Sequence, residues 1–356
     1  MAPRGPWPGR RWSVATISGV AVLGLVAAAY LTTPRTSGVE ADWAAKSLAG
    51  QVVGGRALVG SGNTAVDLTT GRTVHLGSVE GGTPYVGDDR LVVAGDGRID
   101  SVRLDATARW TWRAPADSTV LPVAAGHGST VVDVCPSTGP CDLVGLDAQG
   151  RVGWRAKAIG HRDAGGSERA LPTVSAIPVS GGGYLLTDPV TGRRTLQPGQ
   201  AVLTTDGGSV VIADVQQGTC VVSAYTGPDP EWTRVLERCP GGKVPGLAAA
   251  NGSIALSWPG VVERLALATG RPTSVPRPRD GQLAAAGPLV AVRAKRSTPF
   301  DPLRWGSTTT VLRVVDSGTG DTRAQVASTG RLDLLRLERD ALVVREGDRI
   351  VRYTLT

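Results

Sequence analysis

The chain has 356 residues, 41% of them hydrophobic and 4% aromatic, and a formal net charge of +7. Such a length is ample for one large core. The charge is carried almost wholly by arginine, with Lys46, Lys157, Lys243 and Lys295 as the lysines; the arginines are spread along the chain without an aromatic-interleaved basic cluster, which argues against a nucleic-acid partner.

Residues 1–11 form a basic tail with Arg4, Arg10 and Arg11. The uncharged stretch 12–33 follows, and its apolar part is long enough to cross a bilayer as a helix of about 20 residues. Trp12 and Tyr30 stand near its two ends, where amphipathic rings favour the interface. Arg35 alone, followed by Glu40 and Asp42, marks the far side. The positive-inside rule then puts the amino terminus in the cytoplasm and everything after residue 33 outside the plasma membrane. The alternative is a secreted protein released by cleavage after Ala27-Ala-Ala29; an apolar run longer than the usual signal core of about 7 to 15 residues favours retention. No cysteine stands directly after the segment, so a lipoprotein is not expected.

Residues 34–50 are read as a linker and a closing strand, and 51–356 as the external domain. There a turn phrase, Asp-x-x-Thr-Gly, recurs at Asp67 to Gly71, Asp188 to Gly192 and Asp316 to Gly320. Weaker copies run at Asp105 to Ala108, Asp147 to Gly150, Tyr225 to Gly227 and Ala268 to Gly270. The Asp side chain bonds the turn backbone and Gly takes the left-handed conformation. Short apolar stretches precede the anchors: Ala57 to Val59, Leu91 to Ala94, Thr130 to Val132, Gly183 to Leu186, Val210 to Ala213, Ile254 to Leu256 and Leu289 to Val292. They read as strands. Long windows of period 3.6 are missing after residue 50, which excludes a helical solenoid. A repeat of about 40 to 50 residues with four short strands is a propeller blade. The fold class is therefore all-β, a β-propeller of about eight four-stranded blades after one transmembrane helix, with Val39 to Trp43 completing the last blade and removing sheet edges. Seven blades is the alternative, because no strands are assigned between Lys157 and Pro178.

The phrase from Leu146 to Trp154, Leu-Asp-Ala-Gln-Gly-Arg-Val-Gly-Trp, resembles the repeat of quinoprotein-like (pyrroloquinoline-quinone-like) propellers. Trp112 and Trp232 occupy near-equivalent places, and His75 falls at the Trp position of its own repeat. The resemblance implies either a dehydrogenase or one of the family's propellers that bind no quinone and serve as scaffolds. The dehydrogenases need an adjacent-cysteine disulfide and a calcium held by acidic and amide oxygens; no adjacent cysteines exist, and Asn63 and Asn251 are the only asparagines. No catalytic, cofactor or metal residues are carried over. His75, His127 and His161 lie far apart, and no Gly-x-Ser-x-Gly elbow or phosphate loop is present.

The four cysteines, even in number and all in the external domain, suit an oxidising compartment. Their spacing predicts the local pairs Cys135 with Cys141 and Cys220 with Cys239. The longest interval between anchors, Gly270 to Gly320, holds an insertion with Arg296, Phe300, Arg304 and Trp305. These are the Arg and aromatic types enriched at interfaces, and they form the candidate partner patch; a self-packed loop is the alternative. The composition resembles translated high-G+C bacterial DNA. The sequence reading is thus a non-catalytic binding or scaffolding module of the bacterial envelope, with another envelope protein or a wall component as partner. A quinone-dependent dehydrogenase and a small-ligand or wall-polymer sensor are its alternatives.

Overall fold

The computed structural model describes residues 36–53, 56–60, 63–75, 82–158, 169–205, 208–236, 239–250, 253–259, 261–272, 282–286, 289–297, 308–316 and 319–356. The expected membrane segment, 12–33, lies outside them. Among the described residues no helix is long and apolar enough to cross a membrane.

The first strand, β1 (Val39–Lys46), belongs to the last sheet. Sheet I holds β2 (Gly50–Val53), β3 (Ala57–Gly60), β4 (Thr64–Asp67) and β5 (Thr73–His75). Sheet II holds β6 (Thr83–Val86), β7 (Arg90–Gly95), β8 (Arg98–Arg103) and β9 (Arg109–Arg113). Sheet III follows with β10 (Ser118–Gly126), β11 (Ser129–Pro136), β12 (Asp142–Leu146) and β13 (Val152–Lys157). Sheet IV has three strands, β14 (Ser175–Pro178), β15 (Tyr184–Thr187) and β16 (Arg194–Gln197). Sheet V is β17 (Ala201–Thr204), β18 (Val210–Gln216), β19 (Thr219–Tyr225) and β20 (Pro230–Leu236). Sheet VI is β21 (Gly246–Ala250), β22 (Ser253–Trp258) and β23 (Val261–Ala266). Sheet VII is β24 (Gln282–Ala286), β25 (Leu289–Ser297), β26 (Thr308–Asp316) and β27 (Thr322–Ser328). Sheet VIII takes β28 (Leu332–Leu337), β29 (Ala341–Glu346) and β30 (Arg349–Leu355), and β1 pairs antiparallel with β30 as its outermost strand.

Every sheet is an antiparallel meander, and the described residues stack successive sheets face to face from I to VI and from VII through VIII to I. Leu91 and Val93 of β7 pack on Val59, Ala65 and Val74 of sheet I, whereas Val92 and Ala94 pack on Val132 and Val144 of sheet III. Alternate residues of a strand point to opposite faces, so a strand covered on both sides reads as a continuous apolar run. The same sharing joins sheets IV and V through Leu186 and Ile212, VII and VIII through Leu312 and Leu342, and VIII and I through Ile350 and Leu58. This is the β-propeller arrangement, and β1 joins its two ends.

The Asp turns are built as their composition requires. Asp67 Oδ1 accepts from Thr69 N at 2.8 Å, Asp147 Oδ1 from Gln149 N and Arg151 N at 2.9 Å, and Asp188 Oδ1 from Val190 N at 2.8 Å. The glycines of the Asp turns have a positive φ, for example 72° at Gly71 and 70° at Gly192, whereas Gly227 of the weaker Tyr225 copy does not. The missing Cβ serves a second purpose. A tryptophan on the outer strand of one sheet lies on the turn glycine of the next: Trp43 on Gly71, Trp110 on Gly150, Trp154 on Gly192 and Trp232 on Gly270. The indole Nε1 then donates to a turn carbonyl, Trp43 to Thr69 at 3.1 Å, Trp154 to Pro189 at 3.0 Å and Trp232 to Leu267 at 2.6 Å. Trp110 has no such acceptor, because the Asp147 to Gly150 turn is one residue shorter.

Two expectations from the repeat are corrected by the strand register. Trp110, not Trp112, lies on the turn glycine of the next sheet, while Trp112 packs against the core those two sheets share. Both face the same way, opposite Ser101 and Ile99 of β8. His75 does not hold a docking position: Val74, paired with Ala65, faces sheet II and is buried. His75 points to the other face and its Nδ1 is 2.9 Å from Thr64 Oγ1. Where the tryptophan is missing, arginines cross the junction. Arg72 reaches Asp105 O between sheets I and II, Arg193 pairs with Asp229 between IV and V, and Arg293 pairs with Asp333 between VII and VIII.

The stretch without assigned strands also has an account. Among the described residues sheet IV has no innermost strand, and β14 begins directly after the strap Arg169 to Val174. Leu171 N donates to Val86 O of sheet II at 2.7 Å, Ala125 N of sheet III donates to Pro172 O at 2.8 Å, and Thr173 N donates to Gly208 O of sheet V at 2.7 Å. The strap therefore crosses the inner ends of three sheets at the side where first and second strands turn. Thr173 sits against Gly126, where a Cβ would fall 2.8 Å from the Thr173 carbonyl oxygen.

Candidate binding face

Strand direction divides the ring into two faces. The turn face carries the turns between first and second strands, the Asp turns and the strap. The hairpin face carries the loops between second and third strands and the connections from one sheet to the next. Irregular features gather on the hairpin face.

Both expected disulfides form there. Cys135 and Cys141 bridge the ends of β11 and β12 with a Cα–Cα distance of 4.1 Å, and Cys220 at the start of β19 bridges Cys239 in the connection after β20 at 5.1 Å. The disulfide thereby closes the exposed loop from Pro136 to Pro140. Ser137 N donates to Asp117 O at 3.0 Å, fixing it to the connection between sheets II and III. Beside it runs a groove lined by Asp96, Arg113 and Asp117 among others. Asp96 and Asp117 both have positive φ, 41° and 58°, a strained backbone for a non-glycine residue that persists only where its surroundings hold it. Asp133, Cys135 and Cys141 lie close enough to suggest a metal cluster, but both sulfurs are committed to the disulfide and offer no thiolate.

The insertion also emerges on this face. β25 and β26 pair over nine positions, from Leu289 with Asp316 to Ser297 with Thr308, against four in β3 and β4. Arg296 pairs with Thr309 near the end of this hairpin. Phe300, Arg304 and Trp305 lie outside the described residues.

At the inner edge of sheet VIII a set of charges converges. Burial pushes the Asp333 carboxyl up, but the hydrogen bonds from Arg331 and Arg293 outweigh it and hold it below the usual range. Arg293 Nη2 lies 2.9 Å from Asp333 Oδ1, and Arg331 Nε bonds Oδ2. Across the ladder stands Arg345, only 7% exposed. Sequence reasoning missed this cluster, since nothing in the local spacing pairs residue 293 with residue 333. On β30, one strand in from the outer edge of the same sheet, Tyr353 donates to Glu346 Oε2 at 3.1 Å, and burial with this carboxylate pushes its hydroxyl up to about 12.

His75 is on the rim and His127 is in the turn between β10 and β11, on the turn face, while His161 lies outside the described residues. The described part of the hairpin face thus carries two disulfides, a groove and an arginine–aspartate cluster.

No family description matches the chain, and no curated protein is similar to it in sequence. Among solved structures, the WD40 domain of SCAP from fission yeast is 9% identical over 90% of this chain and 93% of that one, with a TM-score of 0.42. The Dos1 propeller is 10% identical over 92% and 96%, at 0.32. A protein of unknown function from Bacteroides caccae is 14% identical over 61% and 91%, at 0.30. None of these likenesses bears on function, and the propeller assignment rests on strand order, stacking and closure.

Proposed function

We propose that the chain is a single-pass membrane protein whose eight-bladed, quinoprotein-like propeller is displayed outside the bacterial plasma membrane as a non-catalytic protein-binding or scaffolding module of the cell envelope. In this reading residues 1–11 are cytoplasmic, 12–33 span the bilayer, and the partner is another envelope protein or a wall component, with no nucleic acid involved. The observation that carries it is the asymmetry of the two faces. Two disulfides, the groove and the longest hairpin gather on the hairpin face, whereas the chain enters from the turn face, where Ser37 bridges Gln325 ahead of β1. A protein tethered through that entry presents its elaborated loops away from the tether, and such loops carry binding more often than the scaffold does.

The test is affinity capture from membranes with the full chain, followed by mass spectrometry, comparing wild type with Phe300→Ala/Trp305→Ala. The expected result is a partner retained by the wild type and lost by the variant, at unchanged thermal stability. A variant destabilised by a few kcal/mol makes the loop scaffold and sinks the interface. Bound quinone or calcium in the purified chain, seen by absorbance or metal analysis, replaces this reading with the dehydrogenase.

A further inference from the structure

Asp133, Cys135 and Cys141 bring one carboxylate oxygen and two sulfurs within 4.8 Å of one another on sheet III. Among the described residues, the second disulfide, Cys220 with Cys239, belongs to no such group. Strand register explains the convergence. Asp133 and Cys135 are two apart on β11 and so share a face, and Cys141, one step beyond the pair Val134 with Asp142, stands opposite Cys135. Cys135 Sγ lies 3.7 Å from Asp133 Oδ1. On a tetrahedral zinc, a sulfur at about 2.3 Å and an oxygen at about 2.0 Å stand about 3.5 Å apart. That edge of a metal site is already built. Asp133 is 1% exposed and both cysteines are half-buried, so the set is reached from its sulfur side.

We propose that the Cys135–Cys141 disulfide masks a site for zinc or a similar thiophilic divalent cation, uncovered by reduction, with Asp133 as the third protein ligand. A dithiol donor supplies two electrons and two protons, leaves as its own disulfide, and turns the bridge into two thiols. The metal then takes both sulfurs as thiolates, the form that ligates, and releases the two protons. Cleavage of the bond lets the sulfurs part to about 3.8 Å, the separation of two thiolates on one zinc. Water completes the tetrahedron. Three protein ligands and a water make an open site, and sulfur donors select zinc over calcium or magnesium. The site is independent of any protein partner at the insertion.

The test uses the full chain in detergent and Co2+ as the probe. After reduction by a phosphine, which brings no foreign thiol, one equivalent of Co2+ should give a sulfur-to-metal charge-transfer band that zinc then abolishes. The oxidised chain should give none. Nor should reduced Cys135→Ser/Cys141→Ser, which keeps the other pair. Asp133→Asn should weaken the metal about tenfold or more, since even outer-shell partners are worth that much. If this variant does not fold, protection of Cys135 and Cys141 from alkylation by zinc, read by peptide mapping of the reduced wild type, carries the test. No band in the reduced chain overturns the proposal, as does an equal band in Cys135→Ser/Cys141→Ser, an Asp133→Asn affinity identical to wild type, or alkylation that zinc does not slow.

Discussion

The indole of Trp43 lies on the turn glycine Gly71, where an added Cβ would fall 2.5 Å from the ring, and its Nε1 donates to Thr69 O at 3.1 Å. Residues of the closing strand and the first sheet are thereby clamped together, so the ring is fastened at the junction where the ends of the propeller meet. Trp43→Ala removes the clamp and should lower stability by about 2 to 4 kcal/mol, the range for large apolar truncations. Gly71→Ala should also destabilise, because the added methyl strikes the ring and φ is 72°. Denaturant titration gives both values; midpoints equal to wild type show that the clamp is energetically idle.

The two disulfides differ in the loop they close, six residues of separation for Cys135 with Cys141 and nineteen for Cys220 with Cys239. In the chain-entropy account a longer loop stabilises more. Replacing Cys220 and Cys239 by serine should therefore cost about 1 kcal/mol more than replacing Cys135 and Cys141. Peptide mapping without reductant should recover these two pairs; a crossed pair such as Cys135 with Cys220 contradicts the structure.

Tyr353 has its folded pKa raised to about 12 from the ordinary 10.0. The folded state then favours the neutral hydroxyl. This contribution is fully present below pH 10 and is lost as pH rises from about 10 through 12. Stability should fall across that window in the wild type and fall less in Tyr353→Phe. Parallel pH curves for the two proteins rule out the linkage.

The arginine asymmetry around residues 12–33 leads to a topology experiment. Protease added to intact protoplasts should digest the propeller and leave an anchored amino-terminal fragment. A fully protected chain refutes the orientation, and a mature protein beginning near Tyr30 refutes the anchor.

The turns and strands were legible because each has a local cause. Asp67, Asp147 and Asp188 bond their own turn backbone, and stretches such as Leu91 to Ala94 are apolar because both faces are covered. The docking residues were harder to read. A fixed offset from the glycine pointed to Trp112 and His75, but turn length and the period of two along the strand decided for Trp110 and Val74. The strap from Arg169 to Val174 escaped altogether: its partners Val86, Ala125 and Gly208 are distant in sequence, and backbone pairing of that kind leaves no pattern in side chains. The Asp333 cluster escaped for the same reason, joining Arg293 of β25 to β28 across sheets.

Closure through β1 has a mechanical consequence. Any pull on the chain ahead of Thr36 is delivered straight into the strand that shuts the ring. Because β1 lies antiparallel to β30 over seven pairs, from Val39 with Leu355 to Lys46 with Arg349, a load along the strand strains these pairs together in shear instead of peeling them one by one. The chain ahead of Thr36 and the latch are continuous, so strong tension on that chain would spring the ring open at the seam between β1 and β30.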